Sequence, residues 1–354
     1  MTLEEFGFTI WFQKQIGADV FNTWKPARIT AVHKGWCDIS DGEETRPAKT
    51  TGKLRRIARE SKDYLTVGDW VMATNFDGDD FAMIQKVLDR QNTLKRKTAG
   101  KEVSHQLIAA NIDTAFVVHT LDKGFNLPKL ERYLSIVNES GIEPVVLLTK
   151  KDLLPAKELK ERLAEVAARM PNTPVFAFSN TTGSGLKKVQ ALFKPGKTYC
   201  LIGASGTGKT SLINSLLGEE DLYFTLPVRE SDGKGIHTTT WRELIKLDNG
   251  ALVIDTPGMR ELGLVGASDG VKIGFEDLFG LSANCRYANC RHEHEPGCAI
   301  RTAVESGELN EDRYLSYIKL KKESEYHEMS YLDKRKKDKA FGRFIKSVKR
   351  QMKD

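Results

Sequence analysis

Between Gly203 and Thr210 the chain reads Gly-Ala-Ser-Gly-Thr-Gly-Lys-Thr, which satisfies G-x-x-x-x-G-K-[ST] in full. Backbone amides can wrap a polyphosphate only where side chains leave room, so Gly203, Ala204, Ser205, Gly206, Thr207 and Gly208 form the expected cradle. Lys209 would reach the outer phosphates, the Thr210 hydroxyl would ligate magnesium, and Ser211 continues into a helical run. Asp255-Thr256-Pro257-Gly258 directly follows an apolar strand. A carboxylate there, Asp255, can hold magnesium, often through water, and Gly258 can offer its N–H to a γ-phosphate. A separate cluster, Cys285-x4-Cys290-x-His292-x5-Cys298, packs three of the five cysteines into 14 residues. Three thiolates and one imidazole fill a tetrahedral zinc site completely and leave no open position for catalysis. His294 competes with His292 for the imidazole place.

The base has its own candidate readers. Thr149-Lys150-Lys151-Asp152 follows the run Val145 to Leu148 and resembles the N-K-x-D loop that reads guanine in GTPases. In that loop the carboxylate accepts hydrogen bonds from guanine N1 and the exocyclic amine, and the lysine stem packs on the base. Adenine lacks that donor pair. Thr149 stands where the motif has asparagine. Ser179-Asn180-Thr181 follows the next strand and resembles the short loop that backs the guanine from the other side.

These residues need elements to hold them at one edge. Thr114 to Val118, Pro144 to Leu148, Thr173 to Ala177, Tyr199 to Ile202 and Ala251 to Ile254 read as apolar strands. Between the first three lie helical stretches at Leu127 to Glu139, with Leu130, Leu134 and Val137 on one face, and at Pro155 to Arg169. Alternation of this kind predicts a parallel sheet covered on both faces. Upstream, Ala27 to Val32, Trp36 to Ile39, Trp70 to Ala73 and Phe81 to Ile84 read as short strands, and Asp41-Gly42 and Asp77-Gly78 are turn signals. They predict a small barrel or sandwich, and an OB-type barrel would suit nucleic acid. Cys37 and Cys200 fall in strand-like runs and read as small buried apolar residues.

At 354 residues, 40 % apolar and 29 % charged, the chain has material for two or three ordinary domains. No run approaches the length of a membrane span, the N-terminus lacks a secretory pattern, and five cysteines make no disulfide framework, so a cytoplasmic protein is expected. The net charge of +6 is uneven. Lys319 to Asp354 carries thirteen Lys/Arg against six Asp/Glu, hence +7, and the remainder sums to −1. Arg46 to Lys62 carries seven Lys/Arg against Glu60 alone. Both excesses point to a polyanion partner.

The base-reading loops precede the phosphate loop, the reverse of the usual GTPase order. With this order the chain resembles the RsgA (YjeQ/YloQ) family of circularly permuted GTPases that assist small ribosomal subunit assembly. The resemblance rests on TKKD at 149–152, GASGTGKTS at 203–211, GIHTTT at 235–240, DTPG at 255–258 and the 285–298 cluster. It implies an OB-type barrel over 1–97, a permuted α/β GTPase domain over 98–265, a zinc-binding domain over 266–318 and a basic helical tail over 319–354. It implies His292 as the zinc-site histidine. It also implies a water-positioning role for His237, since Met259 stands where most small GTPases place glutamine and a thioether cannot orient water. A GTP hydrolase with magnesium and one structural zinc is therefore expected. It would act as a monomer on the small subunit and its rRNA, and hydrolysis would drive release. An RNA-binding scaffold that uses GTP structurally is a second reading, which intact Lys209, Thr210 and Asp255 disfavour. An ATP-using kinase is a third, which TKKD disfavours.

Overall fold

The computed structural model describes residues 2–17, 23–57, 64–74, 81–97, 105–218, 242–256, 268–329 and 333. The chain divides into two compact units, residues 1–263 and 264–354.

In the first unit, a short helix α1 (Ile10–Gln13) precedes β1 (Lys25–Val32), β2 (Cys37–Ser40) and β3 (Thr45–Thr50). Helix α2 (Gly52–Ile57), β4 (Trp70–Thr74) and β5 (Ala82–Val87) follow. The strand order is β1-β2-β3-β5-β4, and β4 returns to pair with β1, so the five strands close a barrel. Only β3 and β5 run parallel. Period-two alternation fills the interior: Ala27 and Ile29 from β1, Ile39 from β2, Ala48 from β3, Val71 and Ala73 from β4, and Ile84 from β5. Four of the five strands match the sequence reading. The fifth, β3, lies in the basic stretch at 46–62, and only Ala48 of its six residues is buried. The burial of Cys37 and Cys200 matches their sequence reading, and it pushes the Cys37 thiol up to about 12.

A hairpin, β6 (Thr93–Lys97) with β7 (His105–Ala110), leads into the second layer. There β8 (Thr114–Thr120), α3 (Leu127–Glu139), β9 (Glu143–Thr149), α4 (Ala156–Arg169), β10 (Val175–Ala177), α5 (Leu186–Gln190), β11 (Thr198–Ile202) and α6 (Lys209–Leu217) alternate. Then β12 (Glu243–Lys246) and β13 (Leu252–Asp255) complete the sheet. Its order is β10-β9-β8-β11-β13-β12, the first five parallel and β12 antiparallel to β13. Helix α3 spans the expected residues, because Asn126 caps it through Lys129 N at 2.9 Å and Pro128 suits its first turn. Leu130, Leu134 and Val137 are buried as its periodicity requires. Pro155 stands at the N-cap of α4 rather than inside it.

Barrel and sheet are one continuous structure, because β1 also pairs with β12 at Ala31 and Glu243. A register shift between Ile29 and Ala31 accompanies the change of partners along β1. Arg28 faces away from the barrel core and is 1 % exposed. Its guanidinium donates to the carbonyls of Phe6 (3.1 Å), Gly68 (3.3 Å) and Asn111 (3.0 Å) and lies over the Trp70 ring. Burial still pushes it down to about 10.

The second unit holds α7 (Ser268–Gly274), α8 (Glu276–Ser282), α9 (Ala299–Glu305) and α10 (Glu311–Glu328). Arg313 ties α10 to α8 through two 2.7 Å bonds to Asp277. Lys319, where the basic excess begins, lies inside α10. No helix among the described residues is long and apolar enough to cross a membrane.

Candidate nucleotide site and metal centre

The motifs share one edge of the parallel sheet. Thr149 ends β9, Ser179 and Asn180 follow β10, Gly203 follows β11, and Asp255 is the last residue of β13. All lie at the carboxyl ends of strands, where open α/β sheets bind ligands.

Gly203 leaves β11 so close to β8 that a Cβ there would lie 2.2 Å from the Val118 carbonyl oxygen. Gly208 caps α6 at φ +90° with no side-chain hydrogen bond. The first amides of α6 thus open toward the loop, as an anion site needs. Lys209 is 6 % exposed and folds back to donate to the carbonyls of Gly203 (2.9 Å) and Ala204 (2.8 Å). Burial pushes its ammonium down to about 8, against the pull of Asp255. Asp255 is 4 % exposed; burial raises it and Lys209 draws it back. Thr256 is buried, and its hydroxyl donates to Leu201 O at 2.6 Å. Ala204, Ser205, Gly206, Thr210 and Ser211 are half-buried.

The loops after β9 and β10 lock onto the loop at 203–210. Thr149, fully buried, donates from Oγ1 to Thr207 O at 2.7 Å. Asn180 donates from Nδ2 to Gly208 O at 3.2 Å. Lys150 adopts φ +60° and its Nζ meets Asp122 Oδ2 at 2.7 Å. Lys151 is half-buried and Asp152 exposed, in a single 3-10 turn. The backbone bond from Lys151 N to Phe178 O joins the two loops.

The sequence reading missed three supports. Asp122 lies just past the end of β8, on the same edge, and its carboxylate sits low because Lys150 and the Gly124 amide bind it. Arg162 of α4 donates to the carbonyls of Leu121 and Asp122. His119 takes the Asn126 amide on Nε2 at 2.9 Å, and burial lowers it to about 4, which keeps it neutral. The position of Asp122 at a strand's carboxyl end was the available signal. His237 and Gly258 lie outside the described residues, as do Phe341 and Phe344, the residues that the sequence offers as apolar anchors of the basic tail on RNA.

In the second unit Cys285, Cys290, His292 and Cys298 bring their ligand atoms within 4.8 Å of one another. Cys285 Sγ lies 3.5 Å from His292 Nδ1 and 4.0 Å from Cys298 Sγ, and Cys298 Sγ lies 3.6 Å from His292 Nδ1. An ion bonded at about 2.3 Å to sulfur and about 2.0 Å to nitrogen has tetrahedral edges of about 3.8 and 3.5 Å. The donor set therefore fits a metal ion. His292 is buried and reaches φ +67°, while His294 is exposed. Tyr314 donates its hydroxyl to His292 O at 2.7 Å and fixes that turn. Glu295 accepts the amides of Arg291, Glu293 and His294, which draws its carboxyl down to about 2.

Comparison with known proteins agrees with this arrangement. Residues 87–265 match the family described as RsgA GTPase. "Small ribosomal subunit biogenesis GTPase RsgA 2" of Vibrio vulnificus is 37 % identical over 347 residues, 98 % of this chain and 95 % of the relative. "Small ribosomal subunit biogenesis GTPase RsgA" of Opitutus terrae is 38 % identical, across 92 % of this chain and 90 % of its own length. The crystal structure of YjeQ from Thermotoga maritima aligns with a TM-score of 0.63 at 27 % identity, over 85 % of this chain and 98 % of that one. YloQ, described as a circularly permuted GTPase, shares the fold with a TM-score of 0.60 at 24 % identity, over 87 % of this chain and 97 % of its own.

Proposed function

The chain belongs to the RsgA GTPase family, and from that premise we propose that it hydrolyses GTP on the small ribosomal subunit, assists late maturation there, and is released by hydrolysis. The observation that carries this is the convergence of a phosphate loop and a TKKD loop at one sheet edge, tied by the Thr149 to Thr207 bond.

In this reading the amides of Gly203 to Gly208 wrap the phosphates. Lys209 leaves its two loop carbonyls to meet the outer phosphates, which restores its full charge. Asp152 reads guanine, Lys150 and Lys151 flank it, and Thr149, Ser179 and Asn180 set the loops around it. Thr210 and Asp255 fit a magnesium ion, a hydroxyl and a carboxylate being hard oxygen donors, and the ion would neutralise charge on the β- and γ-phosphates. His237 orients the attacking water, the β–γ anhydride bond breaks, and GDP and phosphate leave. Gly258 offers its amide to the γ-phosphate.

The metal of the Cys285, Cys290, His292, Cys298 set is zinc, for which three thiolates and an imidazole are a preferred structural set. The domains are assigned as 1–97, 98–265, 266–318 and 319–354, in a cytoplasmic monomer. The barrel, the zinc domain and the tail from Lys319 supply RNA contacts. The basic stretch of the barrel keeps part of its charge to itself, since Arg46 pairs with Glu44 at 2.7 Å and Lys49 lies over the Phe81 ring at 3.7 Å.

The test is His237→Ala, followed by both nucleotide binding and turnover. The proposal expects GTP affinity within about threefold of the parent and turnover lower by about two orders of magnitude, the scale of losing a group that positions a reactant. Equal turnover would remove His237 from the mechanism.

A further inference from the structure

Thr149 leaves one job undone. Its hydroxyl has a single proton, which goes to Thr207 O at 2.7 Å. The next carbonyl of the phosphate loop, Gly208 O, is taken instead by Asn180 Nδ2 at 3.2 Å. A Cβ on Gly208 would lie 2.9 Å from Asn180 Nδ2 and 3.8 Å from Thr149 Cγ2, so the three residues converge on one spot. The loop that carries Asn180 is internally bonded: Ser179 N donates to Ser184 O at 2.9 Å and Thr182 N to Ser179 Oγ at 3.0 Å. Gly185, at φ +82°, passes close enough to Ala177 O that a Cβ would sit at 2.5 Å.

The rest of the Asn180 carboxamide is unspent. Its Oδ1 is buried with no hydrogen-bond partner, and Nδ2 has a second N–H. A buried amide oxygen left without a donor is costly, and native proteins keep few of them. Its Nδ2 meets Gly208 O of the phosphate loop, and Gly208 in turn lies against Thr149 of the TKKD loop; in the guanine reading a bound nucleoside would offer ring N–H and ribose hydroxyl donors there.

We propose that Asn180 supplies, from the loop after β10, the carboxamide that an N-K-x-D loop carries at the position of Thr149. One N–H of the group holds the phosphate loop, and the remaining donor and acceptor engage the nucleoside. Asn180 is thus a nucleoside-binding residue that also braces the phosphate loop, and the carboxamide stands on a different loop from residue 149, which has only a hydroxyl. This rests on the guanine reading of the site.

The test is titration of full-length protein with fluorescently labelled GDP and with a non-hydrolysable GTP analogue. Parent, Asn180→Ala, Asn180→Asp and the double variant Thr149→Asn/Asn180→Ala are compared, with melting temperature and single-turnover hydrolysis followed in parallel. Asn180→Ala should weaken both nucleotides by the same factor, about tenfold, the loss of one to two buried hydrogen bonds. Single-turnover hydrolysis at subsaturating GTP should fall by the same factor as the affinity, because the contact involves the nucleoside rather than the γ-phosphate. The double variant, with the carboxamide returned to position 149, should recover to within about threefold of the parent. A general loosening of the loop would not be repaired in that way. Asn180→Asp keeps the shape but cannot donate to Gly208 O, so it should bind at least as weakly as the alanine variant, which decides the matter if the double variant does not fold. Parent-like affinity in Asn180→Ala or Asn180→Asp, or a folded double variant that stays weak, overturns the assignment. If the parent itself binds ADP as well as GDP, the guanine reading fails, and this assignment with it.

Discussion

Replacing Gly203 with alanine tests the phosphate loop at its tightest point. The new Cβ would lie 2.2 Å from Val118 O and 3.2 Å from Thr207 Oγ1, and real Cβ atoms essentially never come within 3.0 Å of such atoms. The shortfall against the carbonyl is therefore 3.0 − 2.2, or 0.8 Å. Val118 cannot yield it, because β8 is paired on both sides, to β9 at Leu147 and to β11 one residue earlier, Val117 to Ile202. The loop must move instead, by nearly 1 Å, and it carries the carbonyls that hold Lys209. A displacement of that size costs on the order of 10²-fold in a positioned reaction. Overpacking against a fixed strand adds roughly 1–3 kcal/mol of instability. GTP turnover at saturation should therefore fall about 50- to 100-fold, with a lowered melting temperature. Gly52→Ala, at a position where a Cβ meets nothing within 4 Å, is the control and should change neither. A Gly203→Ala protein with turnover and nucleotide affinity within twofold of the parent would refute the close packing of this loop on β8.

The buried Lys209 makes nucleotide affinity depend on pH. Burial pushes its ammonium down to about 8 in the free protein, and the proposed contact with phosphate would return it to its normal range, so binding should take up a proton above pH 8. GDP should bind about tenfold more weakly at pH 9 than at pH 7, and a constant Kd across that range contradicts the burial. The sign for stability runs the other way: the folded state disfavours the charged form, so the penalty is full below pH 8 and fades as pH rises toward the unfolded value of 10.5. Arg28→Met strips the donor from three buried carbonyls and should cost about 3–5 kcal/mol in urea unfolding. A loss below about 1 kcal/mol would show that water replaces the guanidinium. Cys298→Ser should drop the bound metal, proposed to be zinc, well below one equivalent while leaving GDP affinity unchanged. Full metal content in that variant would place the ion elsewhere.

The legible parts were those where chemistry or periodicity acts locally. The phosphate loop shows itself through residue sizes at fixed spacing. Helix α3 was readable to its ends because Asn126 and Pro128 mark its start and Leu130, Leu134 and Val137 its buried stripe. Strand β3 was not, because Thr-Arg-Pro-Ala-Lys-Thr buries one side chain and reads as a basic loop. Strand β12 is four residues long, with two buried, too short to show a period. The role of Thr149 was out of reach for a different reason. Its partner Thr207 is 58 residues away, and only the neighbouring strands β9, β8 and β11 bring the two together. Asp122 escaped likewise, since an acid in a Leu-Asp-Lys-Gly turn looks like an ordinary loop until Lys150 meets it.

A guanine-specific hydrolase governed by the small ribosomal subunit is tested by phosphate release from GTP by the purified full-length chain, alone and with purified small subunits, with ATP in parallel. Slow release from GTP, strong stimulation by the subunits, and none of either with ATP are expected. Comparable release from ATP, or GTP release that the subunits leave unchanged, would contradict that reading.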